Sequence, residues 1–220
     1  MTVPPRDMVF YSVLEAIQKA DCFLCRLLRD RVHSSFEHLL YESVNDPGFR
    51  ETWRASRGYC QRHARLLADF SDGLGISILY KDLIDHWGMD TLLKPAGQPC
   101  AACAEERLHL LADLNVLVRY WDDADMQKAM HDSGGLCGPH LRAAREVIKD
   151  RAIRRTLTCI SERGLQCLKE QLQDLINSYD YLHERPMDPQ VRVAWRRAIE
   201  KLVGQLDLIE SRGGQNENKG

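Results

Sequence analysis

Two cysteine pairs and two cysteine–histidine pairs, each spaced three apart, constrain this chain more than any other feature. Cys22-Phe23-Leu24-Cys25 is followed 35 residues later by Cys60-Gln61-Arg62-His63. Cys100-Ala101-Ala102-Cys103 is followed, after 34 residues, by Cys137-Gly138-Pro139-His140. Donors at positions i and i+3 at the start of a helix lie on one face of one turn. Two such pairs brought together supply four donors at tetrahedral reach, and three cysteines with one histidine is a usual closed zinc set. A lone CxxC carries little weight. Two CxxC and two CxxH in the same order, with intervals matching to one residue, point to metal.

The similarity extends past the ligands. A shift of 77 aligns Ser56-Arg57-Gly58-Tyr59-Cys60 with Ser133-Gly134-Gly135-Leu136-Cys137. A glycine two residues before the cysteine suits a helix end with φ > 0. A shift of 78 aligns Val32, Phe36, Leu39 and Leu40 with Leu110, Leu114, Leu117 and Val118, core-face positions of the helix after each CxxC. Asn45-Asp46-Pro47-Gly48 aligns with Asp122-Asp123-Ala124-Asp125, polar breakers in both copies. This reads as an internal duplication with a period near 77. Duplication favours sequential pairing, in which Cys22, Cys25, Cys60 and His63 hold one zinc and Cys100, Cys103, Cys137 and His140 hold the other. Each ancestral unit would then be stable alone. The alternative is a cross-braced arrangement with one all-cysteine site and one two-cysteine, two-histidine site.

Composition excludes some classes. The 220 residues can bury a sizeable core in one or two domains. Net charge is −2, with 28% charged residues, so no global basic excess argues for nucleic acid. No apolar run approaches 18 residues, so no transmembrane helix and no membrane partner are expected. Arg6 and Asp7 precede a mixed segment rather than a secretory leader, and the expected compartment is the cytoplasm, where paired cysteines favour metal over disulfide.

Periodicity predicts an all-α chain. An amphipathic helix spans about 8 to 20, with Val9, Phe10, Val13, Leu14 and Ile17 on one face. Asp21 can cap a helix that runs from the first CxxC to about Tyr41 or Val44. Further helices fall near 48–56, 60–70, 76–93, 103–121, 125–132, 138–150, 151–182 and 189–210, with Gly164 a candidate interruption. The expected organisation is two tandem zinc-clipped helical units, 1–94 and 95–150, a C-terminal helical extension over 151–210, and a polar disordered tail over 211–220.

Competing chemistries have weaker support. Cys137-Gly138-Pro139-His140 resembles a thiol oxidoreductase motif with its second cysteine replaced by histidine, and dithiol redox needs both sulfurs. The cysteine clusters could also serve a redox response, or hold an iron–sulfur cluster, although the long spacing between pairs fits zinc better. Four good ligands per site disfavour a catalytic zinc, which keeps a position for water, and no catalytic residue is assigned. Glu106-Arg107-Leu108-His109 is a single ExxH where a di-iron bundle needs two, and reads as a solvated helix face. Arg142, Arg145, Lys149, Arg151, Arg154 and Arg155 form a basic segment that could meet nucleic-acid phosphates or an acidic partner. The interspersed Glu146 and Asp150 suit an ordinary salt-bridged face instead. Cys159 and Cys167 read as small buried apolar residues.

The chain resembles a bacterial family of uncharacterised proteins that pairs CxxC with CxxH twice on an all-helical chain. The resemblance rests on Cys22-Phe23-Leu24-Cys25, Leu40 to Asp46, Gly58 to His63, Asp72-Gly73-Leu74-Gly75, Cys100-Ala101-Ala102-Cys103 and Gly135 to His140. Tyr179-Asp180-Tyr181, Glu184 and Trp195-Arg196-Arg197-Ala198 extend it, so that it covers about residues 8 to 205. It implies the eight metal ligands and supplies no reaction. The resulting expectation is a cytoplasmic interaction or scaffold module with two structural zinc ions and an unidentified protein partner.

Overall fold

The computed structural model describes residues 4–87, 98–179 and 188–204. Among these residues every regular element is helical, as the periodicity predicts. In chain order they are α1 (Met8–Lys19), α2 (Phe23–His38) with a π-helical turn over Leu39–Ser43, α3 (Pro47–Ser56), α4 (Gln61–Ala68) and α5 (Gly73–His86). Then come α6 (Ala101–Arg119), α7 (Ala124–Asp132), α8 (Gly138–Val147), α9 (Arg151–Ser178), α10 (Pro189–Arg192) and α11 (Ala194–Val203). The expected end of the 76–93 helix, the linker around Pro95, the stretch 180–187 and the polar tail lie outside the described residues.

The helix starts are set by side chains the sequence marks. Asp7, Asp46, Asp72, Asp123, Asp150 and Asp188 each accept a hydrogen bond from a backbone N–H in the first turn of the following helix. Asp46 and Asp123 are the aligned polar breakers. Asp21, expected to cap α2, is held by Arg197, which donates to its two carboxylate oxygens at 2.7 and 2.9 Å.

The chain divides into two compact units. The first takes the described residues of Met1–Leu28 and His109–Leu206, and the second those of Arg29–Leu108. The expected contiguous division near residue 94 is not the one the contacts follow, because the boundaries fall inside α2 and α6.

The first unit has a core of Phe10, Val13, Ile17, Phe23, Leu24, Leu114, Leu117, Tyr120, Met126, Met130, Leu136, Ile153, Leu157 and Ile160. Val9, assigned to the apolar face of α1, is exposed, and Ala16 takes an inward position instead. Arg6 donates to both oxygens of Asp123 at 2.9 and 3.0 Å and ties the N-terminal segment to the start of α7. The long helix α9 passes through Gly164 without interruption. A Cβ at Gly164 would lie 2.1 Å from the Gly134 carbonyl oxygen, so this glycine marks a close backbone approach, not a break. Cys159 and Cys167 are exposed on α9, contrary to the buried reading. Cys159 lies opposite the stripe of Ile153, Leu157, Ile160 and Leu168, and Cys167, seven residues after Ile160, lies at its edge.

The second unit is centred on Val32, Phe36, Leu39, Trp53, Leu66, Leu67, Leu79 and Leu83. Trp53 is fully buried, and its indole Nε1–H donates to the Leu79 carbonyl at 3.1 Å, fixing α3 against α5. Arg54 adds a two-pronged pair with Asp82, at 2.7 Å through Nε. Burial of the core-face positions largely follows the sequence reading: Val32, Phe36, Leu39, Leu114 and Leu117 are buried, whereas Val118 is exposed.

Candidate metal centres

All four short pairs begin a helix. Cys22, Cys60, Cys100 and Cys137 sit immediately before α2, α4, α6 and α8, and Cys25, His63, Cys103 and His140 lie in the first turns. The carbonyls of the four leading cysteines accept from Arg26, Ala64, Ala104 and Leu141, closing the first helical turn in each case. Each pair therefore presents both donors on one face, at the positive end of a helix dipole that favours thiolate.

The turns into the CxxH motifs depend on glycine. Gly58 and Gly135, 77 positions apart, have φ of +76° and +77°. Gly58 N–H donates to the Trp53 carbonyl at 2.8 Å and ends α3. Gly135 lies against α9 so closely that a Cβ would sit 2.7 Å from Ser161 Cα. The buried Ser161 hydroxyl accepts from Leu136 N–H at 3.0 Å, one residue before Cys137. In this way α9 fixes the direction in which the second CxxH enters its site.

The pairs assemble into two clusters, each with its four donor atoms within 4.8 Å of one another. The first joins Cys22, Cys25, Cys137 and His140, inside the first unit. Cys25 Sγ lies 3.5 Å from Cys137 Sγ, and His140 Nδ1 lies 3.4, 3.3 and 3.2 Å from the sulfurs of Cys22, Cys25 and Cys137. The second joins Cys60, His63, Cys100 and Cys103, inside the second unit. His63 Nδ1 lies 3.3, 3.5 and 3.4 Å from the sulfurs of Cys60, Cys100 and Cys103, and Cys60 Sγ lies 3.6 Å from Cys103 Sγ.

This overturns the sequential pairing, and it is not the cross-braced alternative either. The clusters are instead nested along the chain: 60/63 with 100/103 inside, 22/25 with 137/140 outside. The ligand type per cluster, three sulfurs and one imidazole, is the expected one.

The donor sets fit a tetrahedral soft cation. Bonds of about 2.3 Å to sulfur and about 2.0–2.1 Å to nitrogen require donor separations of about 3.5–3.8 Å, close to those found. The sulfurs are far beyond the roughly 2.05 Å of a disulfide.

The electrostatics point the same way. Burial would raise the Cys22 thiol, but its contacts with Cys137, Cys25 and His140 outweigh that and leave its pKa well below the ordinary thiol value. Cys25 is driven upward, first by its contacts with Cys137 and Cys22. His140 is half-buried, and desolvation lowers its pKa, yet the Cys137 and Cys22 sulfurs lift it to about 10. In the second unit Cys60 falls to about 7, against burial, through hydrogen bonds from His63 and contact with Cys103. Cys103 rises to about 12, first from burial and then from Cys60 and Cys100. Once one sulfur is ionised, its neighbours resist ionising, and a cation at the centre relieves that repulsion.

The surroundings of the two clusters differ. Beside the first, the Lys201 ammonium is buried and donates to the Gly134 carbonyl. Burial lowers its pKa, and the nearby charges of Cys22, Asp21 and Cys137 act in the opposite direction. Beside the second, His63 is fully buried and its Nε2 lies 3.3 Å from the Glu106 carboxylate. Arg62 grips the same carboxylate with both terminal nitrogens, one at 3.1 Å. Glu106 is therefore not the solvated helix residue of the ExxH reading. Held by Arg62, it stands 3.3 Å from the buried His63 Nε2, which has no hydrogen-bond partner among the described residues, so its charge acts on the imidazole through proximity. The clusters also differ in depth: Cys22 and Cys137 are buried, whereas Cys103 is exposed and Cys60 and Cys100 are half-buried.

Glu106 and Lys201 escaped sequence reasoning because each acts through a neighbour distant in the chain. Of the other histidines, His86 Nδ1 lies 2.8 Å from the Asp82 carbonyl, and neither His33 nor His38 joins a cluster.

No family model matches the chain, and no solved structure matches it. It is 26% identical over 203 residues to an uncharacterised 23.9 kDa protein encoded in the xynA 3′ region of Caldicellulosiruptor sp. (strain Rt8B.4). That alignment takes in 87% of this chain and 99% of the relative. Among the described residues no helix is long and apolar enough to cross a membrane.

Proposed function

We propose that this is a zinc protein whose two metal ions are structural, and that it serves in the cytoplasm as an interaction or scaffold module. The observation that carries the reading is the pair of complete donor sets, each with three sulfurs and one imidazole nitrogen within 4.8 Å. Three thiolates and an imidazole fill a tetrahedron and leave no position for a reacting water, which is the pattern of a structural site. Soft sulfur ligands select zinc over hard cations. Eight free cysteines suit a compartment that keeps thiols reduced. Each ion would hold together helix starts far apart in sequence, and binding of this kind contributes folding free energy of about 10–16 kcal/mol at neutral pH.

The test is metal analysis by mass spectrometry of protein purified without oxygen, together with its absorption spectrum. Two zinc ions per chain and no visible band is the expected result. Iron with a broad visible band would overturn it and make electron transfer or redox sensing the leading function.

A further inference from the structure

We propose that an arginine-lined groove where α8 hands over to α9 binds the phosphate backbone of a nucleic-acid duplex. The groove has a volume of about 570 Å³ and is walled by Arg145 from the last turns of α8 and by Arg151, Arg154 and Arg155 from the start of α9. Arg151, Arg154, Arg155, Thr158, Cys159 and Glu162 follow one another at helical spacing, so they share a single face of α9. The Arg154 guanidinium donates to the Arg145 carbonyl at 3.4 Å, which closes the groove at the helix junction.

The salt-bridged face expected from the sequence is not what these residues form. Among the described residues, none of Arg142, Arg145, Lys149, Arg151, Arg154 and Arg155 has a carboxylate within ion-pair distance. Asp150, the nearest acid in sequence, is used to cap α9 through Ala152 and Ile153 N–H. Elsewhere arginines are matched: Arg6 with Asp123 at 2.9 Å, Arg54 with Asp82 at 2.6 Å and Arg197 with Asp21 at 2.7 Å. Like charges at i and i+4, such as Arg151 and Arg155, oppose helix formation. Four arginines against the single carboxylate of Glu162 leave the lining with a net charge of +3 in a chain whose net charge is only −2, so the excess is local.

The lining selects among anionic partners. Guanidinium forks match phosphate oxygens in two-point contacts. No aromatic residue and no large aliphatic side chain lines the groove, so it offers neither a stacking platform for an unpaired base nor a seat for a peptide side chain. No asparagine or glutamine lines it to read adenine edges, and its arginines are assigned to the phosphate backbone. The recognised chemistry is therefore the duplex phosphodiester, without regard to sequence.

The test uses the full zinc-loaded chain and fluorescent 20-base-pair DNA and RNA duplexes of random sequence, with polyglutamate as a competing acidic polymer. Dissociation constants in the 10⁻⁴–10⁻⁶ M range and a salt slope of about −3 to −4, for roughly four phosphates neutralised, are expected. Arg151→Glu with Arg155→Glu should weaken binding at least tenfold and reduce the slope by about 2, with metal content and helicity unchanged. The exposed Cys159 in the groove should be alkylated more slowly when duplex is bound, while the exposed Cys167, two turns further along α9, should not. That measurement on the unmutated chain stands whether or not the double variant folds. DNA bound and RNA not, or the reverse, identifies which duplex supplies the phosphates. No binding of either at 50 mM salt, tighter binding of polyglutamate, or equal protection of the two cysteines would overturn the proposal.

Discussion

Cys25 Sγ lies 3.5 Å from Cys137 Sγ, although 112 positions separate the two residues. The same crossing occurs in mirror order in the second unit, where Cys60 meets Cys103 across 43 positions. A cation at the first cluster would close a loop that contains every ligand of the second. Clips on long loops remove the most freedom from the unfolded chain, so the outer site should contribute more to stability through the unfolded state than the inner one. Chelation is expected to unfold both units. Adding zinc back at substoichiometric levels should restore helicity in two steps, followed by circular dichroism. Recovery of full helicity without metal would contradict this.

Glu106→Gln should weaken zinc binding at the second site by about 10–100-fold and leave the first site unchanged. The carboxylate lies 3.3 Å from Nε2 of His63, and losses of this size follow removal of a carboxylate that supports a ligating imidazole. Competition against a chromophoric chelator would resolve one weakened and one intact site. Equal affinities in the variant and the parent would remove Glu106 from the site.

Zinc uptake should release protons. With no cation bound, Cys25 is driven upward, Cys103 lies at about 12 and His140 at about 10, so all three hold protons at pH 7. Each must lose its proton to ligate. These ligands have metal-free pKa values above 7, so affinity should rise with pH from 6 to 8 and metal should be lost on acidification. A titration in weak buffer should register at least three protons per chain on loading two ions. An affinity independent of pH would contradict the assignment of these ligands.

Gly164→Ala tests the approach of α9 to the turn before Cys137. Helix propensity alone would favour alanine by about 1 kcal/mol. The added Cβ would meet the Gly134 carbonyl oxygen at 2.1 Å, a backbone atom that cannot swing aside. Net destabilisation of about 2 kcal/mol is expected, read as a lower Tm of the zinc-loaded protein. An unchanged or higher Tm would show that this contact does not hold the turn.

The helices were legible because their punctuation is strong: Asp46 and Asp123 cap, and Gly58 and Gly135 turn the chain with positive φ. The eight cluster residues were legible from their spacing. Their partnership was not. The intervals from Cys25 to Cys60, His63 to Cys100 and Cys103 to Cys137 are 35, 37 and 34 residues, so distance along the chain cannot tell sequential from nested pairing. The exposed placement of Cys159 and Cys167 was hidden because each directly precedes a buried residue of α9, Ile160 and Leu168, so neither is far from the apolar stripe in sequence. Glu106 was misread because its partner, His63, belongs to another helix start.

The central claim, that Cys22 and Cys25 are completed by Cys137 and His140 and Cys100 and Cys103 by Cys60 and His63, is tested most directly by thiol mapping in a Cys60→Ser variant. The protein would be treated with an alkylating reagent, and each cysteine's modification and the retained zinc would be measured by mass spectrometry. The nested arrangement predicts that Cys100 and Cys103 become reactive while Cys22, Cys25 and Cys137 stay protected with one zinc retained. Reactive Cys22 and Cys25 with protected Cys100 and Cys103 would contradict it and restore the sequential pairing.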